Sequence, residues 1–149
     1  MSVNYKELKK GGFMRQRQPN YFSMRLKSVG GHFTTEQLAT IQSVAEKFGR
    51  GYIHLTSRQG IEIPFIHIDD IEAVKKFLAE GGVEVGVCGP RVRTITACQG
   101  NAICPSGLID TAKIAADLDS RCGGRELPHK FQVPSSKFQV QIRIHRLPQ

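Results

Sequence analysis

Tyr21-Phe22-Ser23-Met24-Arg25-Leu26-Lys27 is the stretch that decides the fold. Phe22, Met24 and Leu26 alternate with Ser23, Arg25 and Lys27, and a period of two marks a strand with one apolar and one polar face. Gly30-Gly31 ends it. Thr34 or Thr35 is placed to cap a helix through Phe48, because a hydroxyl there accepts a bond from an otherwise orphaned backbone N–H. Leu38, Ile41, Ala45 and Phe48 recur at helical spacing and define the inner stripe of that helix. Gly49 and Gly51 close it.

The same alternation continues downstream. Tyr52 to Arg58 reads as a second strand, with Ile53 and Leu55 on one face and His54, Thr56 and Arg58 on the other. Gly60 turns the chain into a third strand, Ile61 to Ile68. Pro64 cannot donate a ladder hydrogen bond, so this strand is expected at an edge or interrupted there. Asp69 or Asp70 opens a second helix that buries Ile71, Val74, Phe77 and Leu78, and Gly81-Gly82 stops it. Val83 to Val87 reads as a short fourth strand. The order β-α-β-β-α-β is that of the ferredoxin-like α+β unit. Both crossover helices of such a unit cover one sheet face, so the opposite face carries Arg25, Lys27, His54, Thr56 and Arg58. Pattern alone leaves two readings of that face open: a wet antiparallel surface, or a platform for anions.

Four regions follow. Residues 1–20 are polar and basic and read as a flexible or loosely docked arm; 21–87 are the ferredoxin-like part; 88–133 begin a second part; 134–149 form an atypical tail. In that tail Lys137-Phe138-Gln139-Val140 nearly repeats Lys130-Phe131-Gln132-Val133. The net charge is +8. Nucleic acid is one partner for such a surface, but the chain has no RNP-type aromatic motif, zinc-finger spacing or long Lys/Arg run, and a small anionic ligand is the alternative. There is no apolar run long enough to cross a membrane and no apolar h-region at the start. The four cysteines read as reduced thiols or ligands, and the expected location is the cytoplasm.

The second part is built around Arg91 to Pro105, RVRTITACQGNAICP. Cys98 and Cys104 are separated by five residues, which is not the C-x-x-C of a redox or zinc motif. Cysteine thiolates hold iron–sulfur clusters, so the pair would be half of a four-iron site. Gly100 between them lets the backbone turn closely. A helix is expected from Ser106 to Arg121, with Leu108, Ala112, Ala115 and Leu118 inward, and a further strand from Leu127 to Val133. Cys88 and Cys122 read as free, buried thiols, and the histidines show no metal-ligand spacing.

The ordered motifs resemble the siroheme and iron–sulfur region of nitrite and sulfite reductases. These are R-x-R-x-x-x-x-C-x5-C-P, then a helix, then Leu127-Pro128-His129-Lys130-Phe131. Members of that family join siroheme, a tetrapyrrole with many carboxylates, to a four-iron (4Fe-4S) cluster. Electrons pass from the cluster to siroheme and on to sulfite or nitrite. The resemblance implies substrate-anion contacts for Arg25, Arg93 and Lys130. It implies siroheme contacts for Arg58, within Leu55-Thr56-Ser57-Arg58-Gln59, and for the cationic set Arg25, Lys27, Arg93 and Lys130. It makes Cys98 and Cys104 the first pair of cluster ligands.

Two departures qualify it. Gln132 stands where the family has a second lysine, and no cysteine follows Cys122, whereas the family continues into Gly-Cys-Pro-x-x-Cys. The resemblance therefore implies an oxidoreductase fragment or subunit, truncated before the second cysteine pair and incomplete on its own. It would work with an electron-donor protein and with a partner subunit or a second copy that completes the cysteine set. The competing reading is a non-catalytic ferredoxin-like module that binds tetrapyrrole or a partner. An RNA-binding sheet is disfavoured by the lack of an exposed aromatic pair.

Overall fold

The computed structural model describes residues 4–127 and the strand Arg143–Ile144. Its main sheet has four strands, β1 (Phe13–Arg15), β2 (Tyr21–Arg25), β3 (His54–Leu55) and β4 (Ile61–His67), in the order β1-β2-β4-β3, with every pairing antiparallel. The alternation at the start of the sheet is realised: Phe22, Met24 and Leu26 are buried, while Tyr21, Ser23, Arg25 and Lys27 are half-buried on the other side. Two helices, α2 (Thr35–Phe48) and α3 (Ile71–Glu80), cover the apolar face. Ile41 and Val44 of α2, and Val74 and Leu78 of α3, close the core over Met24, Ile63 and Ile66. Each such side chain stabilises the fold by roughly 2 kcal/mol through removal of apolar surface from water.

Helix α2 starts as expected. Thr34 accepts from the Gln37 N–H and the Gln37 side chain accepts from the Thr34 N–H, a reciprocal capping box. Its buried stripe is Ile41, Val44 and Ala45; Leu38, expected inward, is exposed. Pro64 interrupts its strand as anticipated. Phe22 pairs with Ile66 but Met24 pairs with Ile63, so Pro64 and Phe65 bulge out opposite Ser23, and Phe65 takes φ +64°.

Several expectations are corrected. The second strand is only two residues long, and Leu55 is 70% exposed. At the sheet edge, no other described element covers its apolar side chains. The fourth strand reduces to one antiparallel bridge, Val85 to Leu26, placed on the side of β2 where a ferredoxin-like fold puts it. The rest of that edge is occupied by β1. Residues 5–15 are thus not a loose arm: α1 (Tyr5–Lys10) leads into β1, and Phe13 is buried in the core. Gly12, at φ +86°, makes the join, since a Cβ there would meet the Gly86 carbonyl oxygen at 2.3 Å.

The second part contains β5 (Thr96–Ala97), a 3-10 turn at Gly100–Ala102, α4 (Thr111–Cys122), and β6 (Arg143–Ile144) parallel to β5. Helix α4 begins five residues later than expected, at the Asp110 cap, and Leu108 is 72% exposed ahead of it. Asp110 accepts from the Lys113 N–H, and that side-chain bond fixes the start. Ile95, Ala97 and Ala115 form a small core of their own. The expected strand beyond Leu127, and the rest of the tail, lie outside the described residues.

Candidate functional site

Three arginines from separated parts of the chain line one cleft of about 380 Å³ on the polar side of the sheet, opposite the face covered by α2 and α3. Arg25 stands at the end of β2, Arg58 in the turn between β3 and β4, and Arg93 in the segment leading to β5. His54, Thr56, Ser57, Glu62 and Thr94 complete the polar lining.

Each arginine is placed by its local structure. Arg25 pairs in register with Glu62 of β4, and its Nε donates to Glu62 Oε1 at 2.5 Å. Ser23 donates its hydroxyl to the other carboxylate oxygen at 3.1 Å, and Arg25 Nη1 reaches Cys88 Sγ at 3.5 Å. Arg58 is presented by a closed turn: the Thr56 N–H donates to the Gly60 carbonyl at 2.8 Å, and the Gly60 N–H donates to the Thr56 hydroxyl at 3.1 Å. Inside that turn Gln59 adopts φ +59°, and its carbonyl accepts from the Ser28 hydroxyl at 2.8 Å.

The electrostatics separate the three. Burial alone would lower the Arg25 pKa, but the hydrogen bond to Glu62 and the nearby Cys88 sulfur raise it above the ordinary arginine value. Arg58 is lowered, first by burial and then by repulsion from Arg93 and Arg25, with Cys88 opposing. Arg93 is lowered by burial; Cys88 opposes this and Arg25 adds to it. All three remain protonated, as arginine does throughout the useful pH range. Two crowded, partly desolvated guanidiniums beside a third make a cleft that an anion would relieve.

Lys27 is not in this cleft. Its ammonium is held at 2.9 Å by Glu84 and at 2.9 Å by Asp119 of α4, in a neighbouring hollow that also includes His32. Lys130 lies outside the described residues.

Cys98 and Cys104 flank a tight loop, and both are exposed. The Cys104 N–H donates to the Gly100 carbonyl at 2.9 Å, and the Thr111 hydroxyl donates to the Cys98 carbonyl at 2.6 Å. Gly100, at φ +61°, is required by α4: a Cβ there would meet Thr111 Oγ1 at 2.4 Å and the Ile109 carbonyl at 2.8 Å. Among the described residues, no group of three or more His, Cys, Asp or Glu side chains is arranged to hold a metal ion. Cys88 is buried as expected; Cys122 is only partly buried, and its thiol donates to the Leu118 carbonyl at 2.9 Å.

Residues 14–81 match the nitrite/sulfite reductase ferredoxin-like half domain, and residues 88–139 match the nitrite and sulphite reductase 4Fe-4S domain. The chain belongs to the nitrite and sulfite reductase family. It is 32% identical over 126 residues to the coenzyme F420-dependent sulfite reductase of Methanocaldococcus jannaschii, covering 85% of this chain and 20% of that one. It is 34% identical over 100 residues to the assimilatory ferredoxin-dependent nitrite reductase of Haloferax mediterranei, covering 58% of this chain and 17% of that one. The fold is shared with the Mycobacterium tuberculosis NirA protein at a TM-score of 0.71 and 17% identity, over 83% of this chain and 27% of that one. The chain thus spans less than half the length of these relatives. Its two family regions meet where the three arginines converge, with Arg25 and Arg58 from the ferredoxin-like half domain and Arg93 from the 4Fe-4S domain.

Two contributors escaped the reading of the sequence. Glu62 neutralises Arg25; its signal was its place on the polar face of the third strand, opposite Arg25. Gln59, within Leu55-Thr56-Ser57-Arg58-Gln59, joins the two family regions through a pair of hydrogen bonds to Ala97.

Proposed function

We propose that this chain is a module of a sulfite- or nitrite-reducing oxidoreductase, and that its arginine cleft holds the carboxylates of siroheme together with the substrate oxyanion. The observation that carries this is the convergence of Arg25, Arg58 and Arg93 on one cleft from two family regions. Siroheme fits the chemistry of the donor set: it bears many carboxylates, and guanidiniums bind carboxylates through paired, charge-assisted hydrogen bonds. When bound, siroheme supplies the electron transfer to the substrate. Arg93 and Arg25 orient the oxyanion and balance its charge, a role extended to Lys130 by the family motif, and Arg58 anchors the carboxylates. Preorganised cations of this kind stabilise charge that develops as oxygen leaves.

The cluster is a different case. Cys98 and Cys104 are two thiols where a four-iron cluster takes four, and the other described residues add no third ligand. The described residues do not make a complete site, so the remaining ligands come from a partner subunit or a further chain segment, and an electron-donor protein feeds the assembly. Among the described residues no helix is long and apolar enough to cross a membrane, and we place the module in the cytoplasm.

The test is titration of the anaerobic protein with sulfite and, separately, with siroheme. Binding by the unmodified chain that is lost in Arg58→Ala and Arg93→Ala, with melting temperatures retained, is the expected result. Equal binding by all three proteins would sink the reading.

A further inference from the structure

Gln59 clamps the Arg58 turn to the strand that ends just before Cys98. Its Nε2 donates to the Ala97 carbonyl at 2.8 Å, and its Oε1 accepts from the Ala97 N–H at 3.0 Å. A single carboxamide thus satisfies both backbone groups of the residue immediately before Cys98, across 38 positions of sequence. The arrangement imitates one rung of an antiparallel ladder, with a side chain in place of a strand.

The backbone shows that this side chain is retained against local preference. Gln59 sits at φ +59°, a region that glycine occupies freely and glutamine rarely. Gly31, at φ +75°, faces it: a Cβ there would come within 2.9 Å of the Gln59 Cβ. Gly31 therefore leaves room for Gln59, while the Ser28 hydroxyl holds the Gln59 carbonyl. The neighbouring Gly30 N–H donates to the Ile95 carbonyl at 2.8 Å, two residues before Ala97 in the segment that leads into β5. Downstream, Thr111 fixes the Cys98 carbonyl. The peptide groups on either side of the Cys98 thiol are thereby held, one from the ferredoxin-like half domain and the other from α4.

From this geometry we infer that Gln59 is a positioning residue: it sets the Cys98 thiol in register with the Arg58 turn, so that the metal-ligand loop and the anion cleft keep a fixed relation. The inference rests on the reading of Cys98 as a ligand and of the arginine cleft as the anion site. It differs from a packing role, because the contact is made to the backbone of one residue and not to a core.

The test uses the full chain and Gln59→Gly, which suits the left-handed backbone and removes only the clamp, with Gln59→Glu as the conservative variant. Alkylation by iodoacetamide is followed at each cysteine by mass spectrometry, and hydrogen exchange at the Ala97 amide. In Gln59→Gly, exchange at the Ala97 amide should speed at least about fivefold, the factor one neutral hydrogen bond supports, and the alkylation rate of the already exposed Cys98 should shift relative to that of Cys104. Cys122 should be unchanged. Gln59→Glu should retain protection of the Ala97 N–H, because a carboxylate still accepts from it, while the Ala97 carbonyl loses its donor and the added negative charge slows Cys98 alkylation by disfavouring the thiolate. Unchanged Cys98 alkylation and Ala97 exchange in Gln59→Gly would overturn the assignment, as would an equal acceleration at every cysteine. Sulfite titration of the same proteins separates the two ideas: failure of the unmodified chain to bind sulfite would overturn the anion-cleft reading, while the cysteine and amide readouts still decide the role of Gln59.

Discussion

Arg25 and Glu62 face each other across β2 and β4, and the carboxylate takes the Arg25 Nε at 2.5 Å while Arg25 Nη1 reaches Cys88 Sγ at 3.5 Å. The Glu62 side chain is 15% exposed and that of Arg25 is 36% exposed, so the pair sits at the boundary between sheet and cleft. Glu62 therefore subtracts one charge from a site whose other lining cations repel each other. Glu62→Gln should strengthen sulfite binding by about tenfold, a change of ~1.4 kcal/mol, and lower stability by about 1 kcal/mol through loss of the charge-assisted bond. Isothermal titration and chemical denaturation measure the two effects. A weaker affinity for sulfite would mean that Glu62 orients Arg25 more than it neutralises it.

Arg58 and Arg93 differ from Arg25 in that burial, and then repulsion from neighbouring arginines, lower their pKa values: Arg93 and Arg25 act on Arg58, and Arg25 acts on Arg93. Burial does not favour these charges, so Arg58→Ala should change the melting temperature little. Anion affinity should fall at least tenfold, as expected for loss of a charge-assisted contact of about 1.5–3 kcal/mol. Arg58→Lys should recover only part, because an ammonium cannot reproduce the planar two-point contact. A large drop in melting temperature with affinity intact would show that Arg58 serves the fold.

Much of this arrangement was legible in the sequence because period-two alternation and capped amphipathic helices report burial directly. Phe22, Met24 and Leu26 could only be the inner face of a strand, and that placed Arg25 outward. Thr34 or Thr35 marked the start of α2, and Thr34 is the cap. What failed had a common cause. Among the described residues nothing covers Ile53, Leu55, Leu38 and Leu108, and alternation cannot say whether a strand lies under a helix or beyond its edge. The role of Phe13 was hidden because the polar residues around it read as a loose arm, whereas its burial depends on a sheet edge supplied by distant residues. Gln59 stood within a motif, but a side chain that pairs with a backbone group 38 residues away leaves no periodic signal.

Lys27 ties the sheet to α4 through Asp119, and this link carries a pH signature. Burial would lower the Lys27 pKa, but the hydrogen bonds to Glu84 and Asp119 raise it above the ordinary 10.5. A raised folded-state pKa means that the contribution is fully present below the unfolded value and is lost as pH climbs through the folded one. The effect therefore appears only above about pH 10.5. Asp119→Asn should cost about 1 kcal/mol at pH 7, the scale of a partly exposed ion pair, and the difference from the unmodified chain should shrink at strongly alkaline pH. A difference that is flat from pH 7 to beyond the lysine range would show that Asp119 acts through packing or through its backbone alone.

Cys98 and Cys104 make the last prediction, because both thiols are exposed while Cys88 is buried and the Cys122 thiol is engaged with Leu118. Two thiolates leave half the irons of a four-iron cluster open to water and oxygen. Anaerobic reconstitution of this chain with iron and sulfide should load well under one cluster per chain, with negligible sulfite or nitrite reduction. Cys98→Ser and Cys104→Ser should each remove the bound iron, whereas Cys88→Ser and Cys122→Ser should leave it. Placing a Gly-Cys-Pro-x-x-Cys segment after Val133 should raise iron and sulfide content together. Iron and sulfide analysis with the visible spectrum reads all of these. Full loading of the unmodified chain, or loss of iron in Cys88→Ser, would show that a buried thiol has been recruited and that the two-ligand description is wrong.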